Sequence, residues 1–377
     1  KTFELLARGE TMGLFQLNGG GMTAYLKKLK PTSIHDINAM VALYRPGPIQ
    51  FIPLYIERKH NPRLVKYMDP ALEPILKQTY GVLVYQDDLL LIAIHIAGYS
   101  WGEADKFRKA VGKKIPEEMA KQKDHFITGC VEHSKWPLKK AQELWNQIEP
   151  FAAYGFNKAH SASYGRVAYQ TAYMKANFPV EYMSAIMTAE SGDVEKIAEI
   201  VHECENMKIK VLPPNINESF KGFTCIDDNT IRFGLYTIKN FGSDIGDAII
   251  DERKKNGNFK NITDFLDRIK HKNLNKKSME ALIKTGAMDE FGNRGTLLSN
   301  LENMLEYNKE NSKQSSDQVS LFGGLSGDSM PSFKLKDAED VSKETKLVWE
   351  KELLGLYISG HPLDRIRDKL EKREINI

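Results

Sequence analysis

The chain has 377 residues, 41% of them hydrophobic and 27% charged, an ordinary composition for a globular protein of two or three domains. Its formal net charge is only +3, which excludes a role that depends on overall basicity, so any contact with nucleic acid must come from local clusters of cations. The three cysteines lack the spacing of a zinc site or a disulfide framework and fit a cytoplasmic protein, and no apolar run approaches the ~18 residues of a membrane span, so we expect no membrane partner.

Hydrophobic spacing in the first 60 residues predicts short helices at Phe3–Arg8, Met22–Leu29 and Ser33–Leu43. The sequence Tyr44-Arg-Pro-Gly-Pro48 follows, and two prolines around one glycine predict a rigid turn. Arg45 is carried on that turn. A surface arginine is usually only solvated, but one on a rigid turn can serve as a phosphate clamp.

A basic helix is predicted farther along, where five of the nine residues from Lys106 to Lys114 are Lys or Arg and none is acidic. Lys106, Lys109 and Lys113 share one stripe of that helix, and Arg108 lies roughly 100° round from Lys109. Apolar residues between the cations give the helix a side that can pack on a core. Two interpretations stay open: a solvated basic face, or a docked helix whose cations face phosphates.

Polar residues cluster just before a helix in the stretch Tyr154-Gly-Phe-Asn-Lys-Ala-His-Ser161. Small and aromatic residues between Gly165 and Ala176 then recur at the spacing of one helix face, which places Ser161 or His160 near the predicted cap. The unpaired N–H groups of a helix N-terminus favour an anion, and Lys158 adds a full charge. The stretch therefore predicts either a phosphate or nucleotide site, or a capped core helix with a solvated lysine.

The character of the sequence changes after residue 210. Residues 136–210 are predicted to be helical, Val211-Leu-Pro-Pro214 ends that block, and residues 223–233 are typical of a β-hairpin with a turn at Asp227–Thr230. We therefore place the end of the first domain at residue 215. The predicted fold is mainly α, with a helical domain followed by a small β-hairpin and further helices.

Residues 234–308 show one pattern twice: a helix or short lead-in, a glycine turn and a further helix. The turns lie in Ile238–Ser243 and in Thr285–Ala287. Glycine turns allow backbone N–H groups to approach a phosphate closely, and lysines surround both copies. Two tandem copies favour binding to the DNA backbone over the alternative, an ordinary pair of glycine-capped helical hairpins. The candidate DNA-binding residues are Lys239, Asn240, Gly242, Ser243, Lys284 and Gly286.

Periodicity is lost in residues 309–346, which are rich in Ser, Asp, Lys and Gly and are predicted to be a flexible linker. Within it, Gln318-Val-Ser-Leu-Phe322 carries an apolar pair with no local core to join, so it either docks on its own chain or binds a groove of another protein. Residues 347–370 become helical again, with a break at Ser359-Gly-His-Pro362, and residues 347–377 are predicted to start a C-terminal region.

Seven stretches together make the chain resemble the C-family bacterial replicative DNA polymerases. They occur in the family's order and cover nearly the whole chain except the linker. The stretches are Gly9–Leu17, Ala42–Pro48, Tyr80–Gln86, Ala104–Lys114, Tyr154–Ser161, Leu212–Asn217 and Leu353–Pro362.

This resemblance implies that the chain is part of a catalytic alpha subunit that works with other replicase subunits. Residues 1–215 then correspond to the fingers domain, which closes on the incoming dNTP. Residues 216–308 correspond to a tandem helix-hairpin-helix module that holds the primer–template duplex, and Gln318, Leu321 and Phe322 correspond to the anchors of a sliding-clamp-binding peptide. With Arg45 from the rigid turn and Lys113 from the basic helix, the candidate nucleotide-binding residues are Arg45, Arg108, Lys109, Lys113, Asn157, Lys158, His160 and Ser161.

The chain departs from the family pattern at one position of the basic helix and at one position of the first hairpin. Lys109 stands where many members have arginine, which leaves a point charge in place of a two-pronged contact. Asn240 stands in the first hairpin where glycine is usual, and asparagine tolerates the left-handed conformation better than most residues.

Carboxylates for catalysis are not predicted in this chain. No Asp-x-Asp pair occurs in the sequence, and the resemblance implies that the catalytic aspartates and their Mg²⁺ ions lie in a palm domain that precedes Lys1. The fragment alone is therefore expected to bind but not to polymerise. The alternative is a non-catalytic helix-hairpin-helix DNA-binding or scaffold protein, whereas another class of phosphotransferase would need a phosphate-binding glycine loop that the sequence lacks.

Overall fold

The computed structural model describes residues 1–113, 116–152, 154–314 and 333–364. The described chain is mainly helical with one small sheet, which confirms the predicted fold class. It divides into two compact units, Lys1–Phe178 and Pro179–Ile377. The division falls earlier than the predicted boundary at residue 215, and the assignment of residues 1–215 to a fingers domain stays a prediction. No helix in the described ranges is long and apolar enough to cross a bilayer.

The first unit is built from helices around an aromatic core, in which the rings of Phe107, Phe126 and Trp145 pack within 6.0 Å of one another. Its helices are α1 Thr2–Arg8, α2 Gly20–Leu29, α3 Ile34–Leu43, α4 Ile52–His60, α5 Glu73–Leu76, α6 Gln86–Ala97, α7 Trp101–Lys113, α8 Pro116–Glu132, α9 Leu138–Ala152 and α10 Lys158–Asn177.

Helix α3 packs closely against α10 in this unit. The contact depends on Gly165, because a Cβ there would lie 2.0 Å from Oδ1 of Asn38. The buried face of α10 is formed by Ser161, Gly165, Ala168, Ala172 and Lys175, which agrees only in part with the predicted face because Tyr173 is exposed.

Asp36 in the first turn of α3 is a fully buried carboxylate with partners on every side. Its Oδ2 accepts a hydrogen bond from the backbone N–H of Ser33 at 3.2 Å, and its Oδ1 accepts from the hydroxyls of Tyr55 and Tyr80 at 3.1 Å each. The Lys59 ammonium, itself only 7% exposed, lies 3.2 Å from Oδ2. Asp36 therefore joins α3 to α4 and to the segment before α6.

The second unit surrounds a three-stranded sheet in the order β1-β3-β2. The predicted hairpin is confirmed as antiparallel β2 and β3, but β1 pairs parallel to β3 and was not predicted, because three residues are too few to show strand periodicity. The elements are α11 Pro179–Ala189, α12 Val194–Asn206, β1 Lys210–Leu212, β2 Thr224–Asp227, β3 Thr230–Arg232, α13 Ser243–Asn256, α14 Ile262–Arg268, α15 Lys276–Lys284, α16 Arg294–Ser299, α17 Leu301–Gln314 and α18 Lys343–Leu353.

The predicted linker differs from the structure at both ends. Residues 309–314 continue α17, which is tied to α14 because the Asn308 amide donates to the carbonyl oxygen of Leu266 at 2.7 Å. Towards the other end of the predicted linker, the Phe333 carbonyl oxygen accepts from the Thr263 hydroxyl at 3.1 Å, and residues 343–346 begin α18. These tertiary bonds order polar segments whose composition alone is typical of a linker.

Candidate nucleotide and DNA interface

The loop before α10 is docked on the start of α6. The backbone N–H of Gln86 donates to the carbonyl oxygen of Phe156 at 2.9 Å, and the N–H of Phe156 donates to the carbonyl oxygen of Val84 at 3.2 Å. A Cβ on Gly155 would lie 2.9 Å from the Gln86 side chain, so glycine allows this close approach. The polar stretch 154–161 therefore sits at the N-terminal ends of two helices, α6 and α10.

Arg45 holds this loop from the other side. Its Nε donates to the carbonyl oxygen of Ala42 at 2.9 Å, its Nη2 donates to the carbonyl oxygen of Tyr154, and its guanidinium lies 4.6 Å from the centre of the Phe156 ring. Burial lowers the pKa of Arg45 from its ordinary value. In the structure, the guanidinium of Arg45 already has backbone carbonyl oxygens as partners. The predicted contact of Arg45 with a phosphate stays a prediction.

Asn157 is the cap of α10, and His160 and Ser161 lie near it in the first turn, as predicted. Its side-chain oxygen accepts from the backbone N–H of His160 at 2.8 Å. Ser161 is fully buried, and its hydroxyl donates to the carbonyl oxygen of Asn38 at 2.6 Å in the contact between α10 and α3. Asparagine is one of the residues preferred at a helix N-cap. His160 lies exposed on the first turn.

Lys158 lies among acidic and aromatic groups at the start of α6. Its backbone N–H donates to Oδ2 of Asp87 at 3.1 Å, and its ammonium is 5.5 Å from the centre of the Tyr85 ring. Asp88 is buried beside it and accepts from the Tyr85 N–H at 3.0 Å. Burial raises the pKa of Asp88 to about 6, against the opposing effects of that bond and of Lys158.

The basic helix α7 packs against α6 in the same unit. Arg108 and Lys109 share one partner: Arg108 donates to Oδ1 of Asp105 at 2.7 Å, and the Lys109 ammonium lies 2.7 Å from its Oδ2. These two cations lower the pKa of the exposed Asp105 carboxyl. Sequence reasoning missed this carboxylate, although it precedes the two cations by three and four residues, the spacing of neighbours on a helix. The side chain of Lys113 lies outside the described part.

Four aromatic rings run along α10 from the loop. The ring centres are 5.5 Å apart between Phe156 and His160 and 4.1 Å apart between His160 and Tyr164. Phe15, from the turn between α1 and α2, continues the row at 5.2 Å from Tyr164. We call these four side chains the ring row. The ring row was not predicted, because Phe15 is far from α10 in the chain.

The first glycine turn of the second unit is open to solvent. Lys239, Asn240, Gly242 and Ser243 are exposed around the buried Phe241. Asn240 has a φ of 66°, which confirms that asparagine adopts the left-handed conformation here. Nothing lies within 4 Å of a Cβ built on Gly242, the residue before the first turn of α13. A phosphate therefore has access to this helix N-terminus.

The second glycine turn is packed inside the unit. Gly286 is buried, with a φ of 82°, and its backbone N–H donates to the carbonyl oxygen of Ile283 at 3.0 Å. A Cβ there would lie 2.3 Å from the Arg294 guanidinium. Lys284 is half-buried and pairs with Glu280 at 3.2 Å. The two turns are thus unlike in accessibility, and DNA contact at Gly286 stays a prediction.

Two further predictions concern ligands of other kinds. The clamp-binding anchors Gln318, Leu321 and Phe322 lie outside the described residues. In the ranges that the structure describes, no group of three or more His, Cys, Asp or Glu side chains could hold a metal ion.

Comparison with known proteins places these features in one family. Residues 1–134 match the bacterial DNA polymerase III alpha subunit finger domain, and residues 208–297 match a helix-hairpin-helix motif. Over 97% of its length the chain is 45% identical to the DNA polymerase III subunit alpha of Thermus aquaticus. The chain belongs to the family of DNA polymerase III alpha subunits.

Other alpha subunits match equally broadly. The chain is 43% identical over 99% of its length to that of Aquifex aeolicus and 41% identical over 98% to that of Bacillus subtilis. It spans only about a third of these relatives, 31% and 33% of their lengths. The finger-domain match ends at residue 134. The similarity of the 154–161 loop to alpha subunits therefore rests on the relatives that match nearly the whole of this chain.

Proposed function

We propose that this chain is the part of a bacterial replicative DNA polymerase alpha subunit that binds the triphosphate of an incoming dNTP and the primer–template duplex. The observation that carries the proposal is the docking of the 154–161 loop on α6, which brings Lys158, the first residue of α10, beside the N-terminal end of α6. The Lys158 ammonium and the positive end of the α10 dipole suit an anion, and a triphosphate is the anion that a polymerase must hold.

Helix α7 supplies further cations for the same ligand. Arg108 and Lys109 are mounted on the outer side of a helix whose inner side packs on the core through Phe107. Asp105 holds both cations in one place, and a triphosphate carries enough negative charge to compete for them. Lys113 follows one turn after Lys109 and is proposed to act with them.

Charge reversal tests the nucleotide site in the full-length enzyme. Arg108→Glu with Lys109→Glu, and separately Lys158→Ala, should raise KM for dNTP at least about ten-fold, because each removes a charge-assisted phosphate contact of ~1.5–3 kcal/mol. The matched control is Lys139→Glu, at an exposed lysine of α9 in the same unit. Unchanged nucleotide use in the α7 and Lys158 variants would refute the assignment.

The first hairpin is proposed to hold the phosphate backbone of the duplex. Its exposed Lys239 and Ser243 and the open Gly242 support contacts that carry no sequence information. Lys239→Glu should weaken binding to primer–template DNA and lower the slope of log affinity against log salt by about 1. Lys254→Glu, at the far end of α13, is the control. Binding that does not depend on salt would contradict the phosphate grip.

Gln318, Leu321 and Phe322 are proposed to bind the sliding clamp, and other replicase subunits are proposed to join the same assembly. Leu321→Ala with Phe322→Ala should abolish retention of the full-length enzyme on immobilised clamp, whereas Leu325→Ala in the same segment should not. The Mg²⁺ ions of the intact enzyme are proposed to bind outside this chain. Retained clamp binding in the double variant would move the contact elsewhere.

A further inference from the structure

We propose that a cavity in the first unit binds a small organic anion with an apolar body, and that its occupancy stabilises the loop before α10. The cavity measures about 350 Å³, within the ~300–1,000 Å³ that is usual for small-molecule sites. It is formed by α4, α6, α9 and the segment between α4 and α6. Its apolar wall includes Met68, Leu72, Leu76, Val82, Ile92 and Phe151. The residues proposed for nucleotide or DNA contact do not line it, so this inference goes beyond the proposed function.

The cavity combines a buried apolar base with lining residues at the protein surface. Leu76 and Ile92 are buried, whereas Leu54, Lys66 and Gln147 are exposed. A ligand can therefore place an apolar body inside while its charged group remains near the surface. The volume is too small to admit an α-helix, which is ~10–12 Å across, so the occupant is a small molecule.

The charges of the lining are complementary to an anion. Arg58 and Lys66 line the cavity, and none of the lining residues that the structure describes is acidic. Within the described ranges, Lys66 has no hydrogen-bond or ion-pair partner. Asp69, which follows the lining residue Met68, is paired with Lys140 instead. An anionic group on a ligand would thus find two cations and no competing carboxylate in the wall.

One wall of the cavity is fixed before any ligand binds. Tyr80 and Gly81 form a turn with φ values of 52° and 74°, a backbone conformation that is unfavourable for tyrosine. Arg58 Nη1 donates to the carbonyl oxygens of Tyr80 at 3.3 Å and Gly81 at 3.0 Å, and the Tyr80 hydroxyl donates to the buried Asp36 at 3.1 Å. These bonds hold the turn in place, so binding costs little ordering of this wall.

The cavity shares its wall with the anchors of the loop before α10. Phe151 lines it, and the Phe151 carbonyl oxygen accepts from the backbone N–H of Tyr154 at 2.7 Å. Val82 also lines it, two residues before Val84, whose carbonyl oxygen accepts from Phe156 at 3.2 Å. A ligand that packs on both walls binds the docked loop better than the open one, and it therefore shifts the equilibrium towards the docked state.

The test titrates two fluorescent probes with the same aromatic body into the full-length enzyme: anilinonaphthalene sulfonate, which is an anion, and the uncharged phenylnaphthylamine. Met68 is half-buried in the wall, and Met68→Trp should raise Kd for both probes at least about ten-fold, because the larger side chain fills the cavity. Lys66→Glu should raise Kd for the sulfonate at least about five-fold and leave that of the uncharged probe within about two-fold, because it turns an attraction into a repulsion.

Two variants outside the cavity lining are the matched controls. Leu64→Trp adds the same ring at an exposed residue, and Lys77→Glu reverses the charge of an exposed lysine in the segment between α4 and α6. Both should leave Kd for each probe within about two-fold of the wild type, a spread that is small beside the ten-fold effect of 1.4 kcal/mol. Melting temperatures show whether each variant folds. If Met68→Trp does not fold, the comparison of Lys66→Glu with Lys77→Glu decides the proposal, because both changes lie at exposed residues.

Hydrogen exchange in the peptide that contains residues 154–158 tests the effect on the loop. Saturating sulfonate probe should slow this exchange at least about three-fold in the wild type and leave it unchanged in Met68→Trp. Undiminished binding of both probes in Met68→Trp would overturn the site, and an equal response of the two probes to Lys66→Glu would overturn its preference for an anion. Probe binding without slower exchange would overturn the coupling to the loop. None of these measurements uses dNTP, so their outcome is independent of the triphosphate site.

Discussion

Replacing Arg45 should loosen the loop that begins at Tyr154. Arg45→Ala removes one charge-assisted hydrogen bond to the Tyr154 carbonyl, worth ~1.5–3 kcal/mol, and the contact of the guanidinium with the Phe156 ring, worth ~0.5–1 kcal/mol. The loop from Tyr154 should therefore open more easily by about 2–4 kcal/mol. Since 1.4 kcal/mol is a factor of ten, exchange of the protected Phe156 amide hydrogen should accelerate about 30-fold or more.

Hydrogen exchange measured by mass spectrometry on the peptide that contains residues 154–158 is the assay, with KM for dNTP measured on the same protein. Arg45→Lys should behave almost like Arg45→Ala, because an ammonium cannot reproduce the planar fork that reaches the carbonyl oxygens of Ala42 and Tyr154. Arg63→Ala, at an exposed arginine of the same unit, is the control. A higher KM with unchanged exchange in the loop would refute the reasoning and return Arg45 to the role of a phosphate clamp.

Three further predictions concern stability. Asp36→Ala should lower the free energy of unfolding by about 3–5 kcal/mol in urea denaturation, because it strands the buried Lys59 charge; a loss below 1 kcal/mol would contradict the network. Burial raises the pKa of Asp88 to about 6, so the protonated carboxyl is favoured in the folded protein. The stability that this protonation contributes is full below about pH 4 and is lost as the pH rises through 6. Asp88→Asn should remove roughly 2–3 kcal/mol of the pH dependence of the free energy of unfolding, and an unaltered pH dependence would contradict the prediction. Gly165→Ala should destabilise the protein by about 1–3 kcal/mol, because the added methyl group clashes at the α3–α10 contact. Gly102→Ala, at a helical glycine with open space around it, should stabilise the protein by about 0.5–1 kcal/mol. Equal melting temperatures for the two variants would show that the α3–α10 contact relaxes freely.

Local features of the sequence predicted local features of the structure. Ser33 and Asp36 have the spacing of a helix N-terminus, and α3 begins at Ile34. Alternating apolar residues around a turn predicted the β2–β3 hairpin, and the backbone preferences of asparagine predicted the conformation of Asn240. In each case the determining contacts lie within a few residues of one another, so periodicity and turn chemistry are sufficient.

Features that depend on distant contacts could not be predicted in this way. Arg45 and Tyr154 are 109 residues apart, and nothing in either stretch indicates that the guanidinium meets a backbone carbonyl. The two glycine turns look alike in sequence, yet Gly286 is buried by Arg294 while Gly242 is open. The resemblance to a family identified which stretches belong together, but only the tertiary packing distinguishes an accessible N–H group from one that is already bonded.

If the proposed function holds, the Asp105 carboxylate also matters while no nucleotide is bound. Arg108 and Lys109 each lie 2.7 Å from it, so half of their combined positive charge is cancelled while no substrate is present. Under the proposed function, an extended polyanion such as non-substrate DNA gains less binding free energy on this helix than it would on two unpaired cations. A compact triphosphate must displace the Asp105 carboxylate to contact both Arg108 and Lys109. Because Asp105 competes for both cations, it favours a small, densely charged ligand over an extended one.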